Sequence, residues 1–154
     1  LRPEEYQAAL DAARQENAEL QDKYLRAVAA SENTRKQAER VATARASQQL
    51  QRVYTRLLEV ADNLERALSY AAENDPLAPG VRATLRQLLD LLLREGVTPI
   101  NVTAGQPFDP RFHEAIATHA GDVQEMTVAE VKQPGYMFDG QVLRPARVVV
   151  AQPV

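Results

Sequence analysis

The apolar positions of this chain change their period once, near residue 97. Before that point they recur in alternating steps of four and three. Tyr6, Leu10, Ala13, Asn17, Leu20, Tyr24 and Ala27 follow this rule, with Asn17 as a polar member. Such a heptad seam stays on one side of a helix and asks for a partner helix. Ser31, Thr34, Ala38 and Val41 continue it with small or polar residues, and the seam then slips. It resumes at Leu50, Val53, Leu57, Ala61, Leu64 and Leu68. A slip locally unwinds a coiled coil, so the middle is predicted to pair more weakly than either end. Neither Gly nor Pro occurs from residue 4 to residue 75, and Ala, Leu, Gln, Glu and Arg, all good helix formers, dominate there. One helix of that extent would measure on the order of 100 Å. It has too little chain of its own to cover its stripe, so the pattern predicts a homodimer. The alternatives are a lone solvated helix or an accident of alanine-rich composition.

Asn74-Asp75-Pro76 and Pro79-Gly80 predict a turn that ends this helix. A second helix is predicted over about Val81 to Glu95. Its Leu85, Leu88, Leu89, Leu91, Leu92 and Leu93 make it apolar nearly all round, as suits the middle of a bundle. Gly96 stands where a glycine just past a helix end belongs. Two copies of the long and short helices would form a four-helix bundle at the dimer axis. The expected dimerisation residues are Leu10, Leu20, Tyr24, Leu50, Val53, Leu57, Leu64, Leu68, Leu85, Leu88 and Leu92.

From Val97 onward the chain alternates and is punctuated by glycine and proline. Residues 97–102 read as a short strand, Thr127 to Lys132 as another, and Gln141 to Ala151 as a longer one. In the last, Val142, Arg144, Ala146, Val148 and Val150 share a side, and Pro145 signals an edge or bulge. Asp139-Gly140 between two apolar runs is a hairpin turn signal. The predicted fold class is α+β: a very long N-terminal helix pairing as a coiled coil, a short bundle helix, then a small all-β domain. The predicted divisions are 1–75, 76–96 and 97–154. The β-domain is small for an independent core and is expected to lean on the bundle.

Composition narrows the chemistry. With 154 residues, a formal charge of −3 and interspersed charges, the chain does not look like a nucleic-acid binder. It has no cysteine, which excludes disulfides and thiolate sites. No apolar run approaches the roughly 20 residues of a membrane span, and no secretory leader is visible, so a cytoplasmic protein is expected. The chain opens on Leu1, which leaves an upstream segment open. His113 and His119, six apart on an expected strand, would share a face without a third ligand, so no metal site is predicted. Asp109 with His113 reads as a turn before a strand rather than an acid–base pair. Arg35, Lys36, Arg40 and Arg45, interrupted by Glu39, form either a solvated face or a docking site. There is no Gly-rich phosphate loop and no nucleophile elbow, so neither nucleotide binding nor enzymatic activity of its own is expected, and no cofactor.

Two blocks carry a family resemblance: Phe108-Asp109-Pro110-Arg111-Phe112-His113-Glu114-Ala115, and the run from Gly135-Tyr136-Met137-Phe138-Asp139-Gly140 to Val148-Val149-Val150. Helix segments Glu32-Asn33-Thr34-Arg35-Lys36 and Leu57 to Leu68 add to it. The chain resembles, over about residues 24 to 151, the GrpE family of nucleotide exchange factors for DnaK-type heat-shock chaperones. The resemblance implies a parallel homodimer with two β-domains spread as wings. One dimer would bind one chaperone ATPase domain, a wing would open the nucleotide cleft, and ADP would leave. It also implies helices that loosen reversibly on heating, for which the weak seam from Ser31 to Gln49 is the candidate. Carried over by position, the implied chaperone contacts are Arg35 and Lys36 on the helix, Gly96 at the junction, and Gly135, Tyr136, Met137, Gly140, Gln141 and Val150 in the wing. Tyr136 and Val150 also suit core positions. Arg35-Lys36-Gln37 departs from a longer basic run in relatives, and Ala44 stands where relatives carry lysine. Two other functions fit the residues. One is a coiled-coil adaptor whose β-domain takes a peptide by strand addition; the other is a small-ligand or metal binder.

Overall fold

A computed structural model describes residues 2–154. Leu1, on which the first predicted division opens, lies outside them. Two helices precede six strands: α1 (Pro3–Tyr70), α2 (Ala78–Arg94), β1 (Thr98–Pro99), β2 (His113–Gly121), β3 (Thr127–Gln133), β4 (Tyr136–Phe138), β5 (Gln141–Arg144) and β6 (Ala146–Pro153). The fold is α+β, with helices first and a small all-β portion last. Two compact units divide within α1, one ending at Gln48 and the other being Gln49–Val154.

The start of α1 follows from its sequence. Pro3 takes the first helical position, where its missing N–H costs nothing. Glu5 reaches back to accept the Arg2 N–H at 2.7 Å, half of a capping box. In the first unit the seam residues Tyr6, Leu10, Leu20 and Tyr24 stand exposed, Tyr24 to 68% of its surface. Side-chain ties there are local, such as Arg26–Asp22 at 3.0 Å and Arg35–Glu39 at 2.7 Å. Exposed pairs of this kind contribute little.

The helices differ from expectation at the turn. Helix α1 stops at Tyr70, and the Asp75 carboxylate accepts the Leu77 N–H at 2.9 Å. Helix α2 then begins at Ala78, three residues earlier than predicted, with Pro79 and Gly80 inside its first turn. Proline is compatible there because the first turn's N–H groups have no intrahelical acceptor. Its far end agrees with expectation. Gly96 has φ +93°, its N–H donates to Leu93 O at 3.1 Å, and the Val97 N–H donates to Leu92 O at 2.9 Å. This is a Schellman motif, which needs a left-handed residue just past the helix.

Two three-stranded sheets follow, ordered β1-β4-β5 and β2-β6-β3. In place of a strand over 97–102, only Thr98–Pro99 pairs, antiparallel to β4. The expected strand over 141–151 is two strands, one in each sheet, separated at Pro145, which cannot donate to a ladder. Within β6, Ala146, Val148 and Val150 are buried, as the alternation predicts. The Asp139-Gly140 turn has φ +52° and φ +73°, the positive pair of a two-residue hairpin.

Two cores result. Tyr54 and Leu58 of α1 meet Leu92, Val97 and Tyr136, with Phe138 and Leu143 packed against them. The Tyr54 and Phe138 rings contact edge to face at 5.0 Å between centroids. So the first sheet is mounted on the helices. The second sheet closes over its own cluster, Val128, Ala146, Val148 and Val150, joined by Val102 and Phe108. The apolar packing of the β-portion on the helices therefore runs through the first sheet.

Candidate functional site

The hairpin and its surroundings hold most of the expected wing residues. Gly140 and Gln141 are exposed at the turn, and Met137 is half-buried. The Gln51 side-chain amide of α1 donates to Gln141 Oε1 at 3.1 Å, which ties the hairpin to the helix. Tyr136 is buried, and Val150 is fully buried beneath the second sheet. Both side chains support the surface rather than form it. Gly135 is set by space. A Cβ there would meet Ala146 N at 2.4 Å, Pro145 C at 2.8 Å and Ile100 Cδ1 at 2.9 Å. At Gly96, with φ +93°, a Cβ would meet only the Phe138 ring, at 3.9 Å. Its glycine is required by conformation, not by crowding. Arg35 and Lys36 are exposed on α1 in the first unit, with Arg35 bonded to Glu39.

The expected dimerisation residues fall into three groups. Leu10, Leu20, Tyr24, Leu50 and Val53 are exposed apolar side chains on a helix. Leu57, Leu64, Leu68 and Leu88 are half-buried. Leu92 and Leu85 are buried by their own chain, Leu92 within the core under Tyr54 and Tyr136.

The Phe108–Ala115 block proves to be a structured turn that runs into β2 at His113. The Asp109 carboxylate accepts the Arg111 backbone N–H at 3.0 Å and its guanidinium Nη2 at 2.8 Å. These bonds hold the Asp109 carboxyl below its ordinary range. The Asp109 backbone N–H, not its carboxylate, reaches His113 Nδ1 at 3.0 Å. His113 must present a bare nitrogen there, so it acts as a cap and no acid–base pair forms. The expectation that His113 and His119 share a face is corrected. A bulge between Ala115 and Ala117 shifts the register of β2, so a spacing of six no longer keeps one face; His113 is buried and His119 is exposed. Among the described residues no group of three His, Asp or Glu side chains is placed to hold a metal ion. No described helix is long and apolar enough to cross a membrane.

One cluster has no local signal in the sequence. Asp62 of α1 pairs bidentately with Arg144 at the end of β5, through Nη1 to Oδ2 and through Nη2 to Oδ1 at 2.8 Å. Gln133 at the end of β3 donates to Asp62 Oδ2 at 2.9 Å, and Arg144 Nε donates to Pro134 O at 3.0 Å. The two charged side chains are only 17% and 14% exposed. The Arg144 guanidinium also lies 5.4 Å from the Tyr136 ring centre. Burial, with Glu65 and Asp62 adding to it against Arg144, pushes the Tyr136 hydroxyl up. Glu65 is pushed up by burial and then by the Asp62 charge, with Arg144 opposing.

Comparison with known proteins agrees with this architecture. Residues 2–152 match the sequence pattern of the family described as GrpE. Among similar proteins, Protein GrpE of Delftia acidovorans is 41% identical over 138 residues, covering 89% of this chain and 76% of the relative. Protein GrpE of Syntrophobacter fumaroxidans is 40% identical over 152 residues, covering 96% of this chain and 80% of the relative. Protein GrpE of Verminephrobacter eiseniae is 44% identical over 137 residues, covering 88% and 75%. With the match running through both helices and all six strands, this chain belongs to the GrpE family.

Proposed function

We propose that this chain is an adenyl-nucleotide exchange factor for a DnaK-type chaperone, working in the cytoplasm as a parallel homodimer. Membership of the GrpE family over residues 2–152 carries the proposal. The exposed seam of Leu10, Leu20, Tyr24, Leu50 and Val53 supports the pairing, because apolar side chains in heptad register gain by meeting a second copy. The proposed divisions are the dimerisation helix of 1–75, the turn and bundle helix of 76–96, and the chaperone-facing β-domain of 97–154. The exposed hairpin residues Gly140 and Gln141, with Met137 beside them, are the proposed wing contact. Gly96, Gly135, Tyr136 and Val150 hold the wing's shape behind it. Arg35 and Lys36 are the proposed second contact, along the helix.

The mechanism needs no bond to be made by this chain. The dimer binds a chaperone whose nucleotide cleft is open more tightly than one whose cleft is closed, and its differential affinity shifts the equilibrium. ADP held by both lobes then loses one set of contacts and leaves. Linkage requires the reverse as well: nucleotide that closes the cleft must weaken the dimer's grip by the same factor. ATP therefore ends the cycle by displacing the factor. Heat would act on the weakly paired stretch from Ser31 to Gln49, lowering the population of dimer competent to bind.

One observation favours an adaptor instead. Strand β2 pairs only with β6 and lies at a sheet edge, where an added peptide strand could dock. Light scattering of a mixture with a DnaK-type chaperone separates the two readings. Exchange predicts a complex of two chains with one chaperone in the absence of nucleotide, which ATP dissolves. A complex that persists unchanged in ATP contradicts it and supports the adaptor.

A further inference from the structure

The two sheets of the β-portion meet the helices unequally. The first sheet is held by apolar side chains, and the second has a core of its own. Apolar contact is non-directional. It keeps the sheet on the helix but fixes the angle at which it sits less sharply than an aligned hydrogen-bonded pair does. Two directional ties run from α1: the exposed Gln51–Gln141 bond at the hairpin, and the Asp62 carboxylate, which alone of the two gathers the ends of strands from both sheets, since Arg144 closes β5 and Gln133 closes β3. Through Arg144 Nε it also reaches the Pro134 carbonyl. Arg144 is followed by Pro145, the single residue between the two sheets along this part of the chain. A bidentate guanidinium–carboxylate pair allows little rotation, because both N–H groups must stay aligned with both oxygens.

We propose that Asp62 is a positioning residue: its fork with Arg144 sets the orientation of the β-domain on α1, and so sets how far that domain can open the chaperone. The proposal rests on the exchange reading. Asp62, with 17% of its side chain exposed, is not among the proposed contacts. Its effect is on geometry, so the maximal rate of ADP release should suffer more than the concentration of factor needed for half of that maximum. The proposed helix contact at Arg35 and Lys36 is left in place.

The test uses the whole dimer with Asp62→Asn and Arg144→Lys. The first keeps the side-chain shape and removes the charge. The second keeps the charge and removes the fork, and it guards against a first variant that does not fold. The protein has no cysteine, so Glu59→Cys and Thr118→Cys place two spin labels without further changes. Both positions are exposed, one on α1 and one on β2. Labelled chain is diluted with excess unlabelled chain, so that the distance read is within one protomer. The expected result is a narrow distance distribution in the parent, a broader or shifted one in both variants, and an about tenfold lower maximal release rate well below the melting temperature. Variants that melt earlier yet keep the parent's distance distribution and maximal rate would overturn the proposal and leave the pair a stabilising contact only. If the parent itself does not accelerate release, the exchange reading fails. The label distances then still decide whether the fork orients the domain.

Discussion

Of the six glycines, Gly135 is the one where an added methyl group would meet its neighbours most closely. The glycine does not need an unusual backbone conformation; it needs the absence of a methyl group. That methyl would lie 2.4 Å from Ala146 N and 2.8 Å from Pro145 C, both backbone atoms, and 2.9 Å from Ile100 Cδ1. Ordinary carbon contacts lie at about 3.5 Å, so the two chain segments must part by roughly 1 Å. Neither is free to do so. Ala146 is fully buried and its N–H donates to Phe112 O at 2.9 Å, while Gly135 O accepts the Ile100 N–H at 2.8 Å. Overpacking costs about 1–3 kcal/mol and each strained hydrogen bond about 1 kcal/mol, so Gly135→Ala should lose about 3–5 kcal/mol. For a chain of this size that is a fall of roughly 10 °C in melting temperature. Three other glycines calibrate the result. Gly96→Ala and Gly140→Ala meet no atom closer than 3.9 Å and bear only the strain of positive φ, about 1–2 kcal/mol. Gly80→Ala lies in an open helical position and should gain about 0.5 kcal/mol. Urea unfolding at one fixed protomer concentration reads all four. A Gly135→Ala variant no less stable than Gly140→Ala would refute the reasoning from backbone contact.

Leu58 is fully buried between the helices and the first sheet, and Leu58→Ala should lose about 2–5 kcal/mol in the same unfolding assay; a loss near that of an exposed leucine such as Leu20 would contradict the assigned core. Glu65 sits above the ordinary value of 4.5, so the folded state binds its proton more tightly than the unfolded chain does. Its contribution is full below pH 4.5 and is lost as pH rises through the higher folded value. Glu65→Gln should therefore be more stable than the parent at about pH 7, with the gap closing toward about pH 4; an equal gap at both pH values would show that charge is not the cause. Circular dichroism against temperature should show helix lost in two steps, the stretch from Ser31 to Gln49, with its small and polar seam residues, melting first. One cooperative transition of the whole chain would sink that expectation.

The sequence made the helical part legible because its signals are local. A breaker-free run, a heptad and a glycine after α2 are each read within a few residues, and Gly96 takes the φ its position predicted. The hairpin at Asp139-Gly140 was legible for the same reason. Pro79-Gly80 misled because proline and glycine also suit a helix's first turn, so the boundary moved to Ala78. The second sheet was harder. Strand β2 pairs in parallel with β6, and its exposed Ala, Thr and His positions alternate weakly. The bulge after Ala115 shifts the register, which is why a spacing of six does not keep His113 and His119 on one face. The Asp62–Arg144 pair joins residues 82 positions apart, and nothing near either one announces the other. Of the expected wing contacts, Tyr136 and Val150 show how alternation conceals a side: a buried residue and a surface one occupy equivalent places in the pattern.

The central claim is nucleotide exchange, and the direct measurement is release of a fluorescent ADP analogue from a DnaK-type chaperone, chased with ATP, with and without this chain. The expected result is a large acceleration that weakens in Gly96→Asp, where the junction between α2 and the β-portion is disturbed. An intact dimer that leaves the release rate of a cognate chaperone unchanged would contradict it.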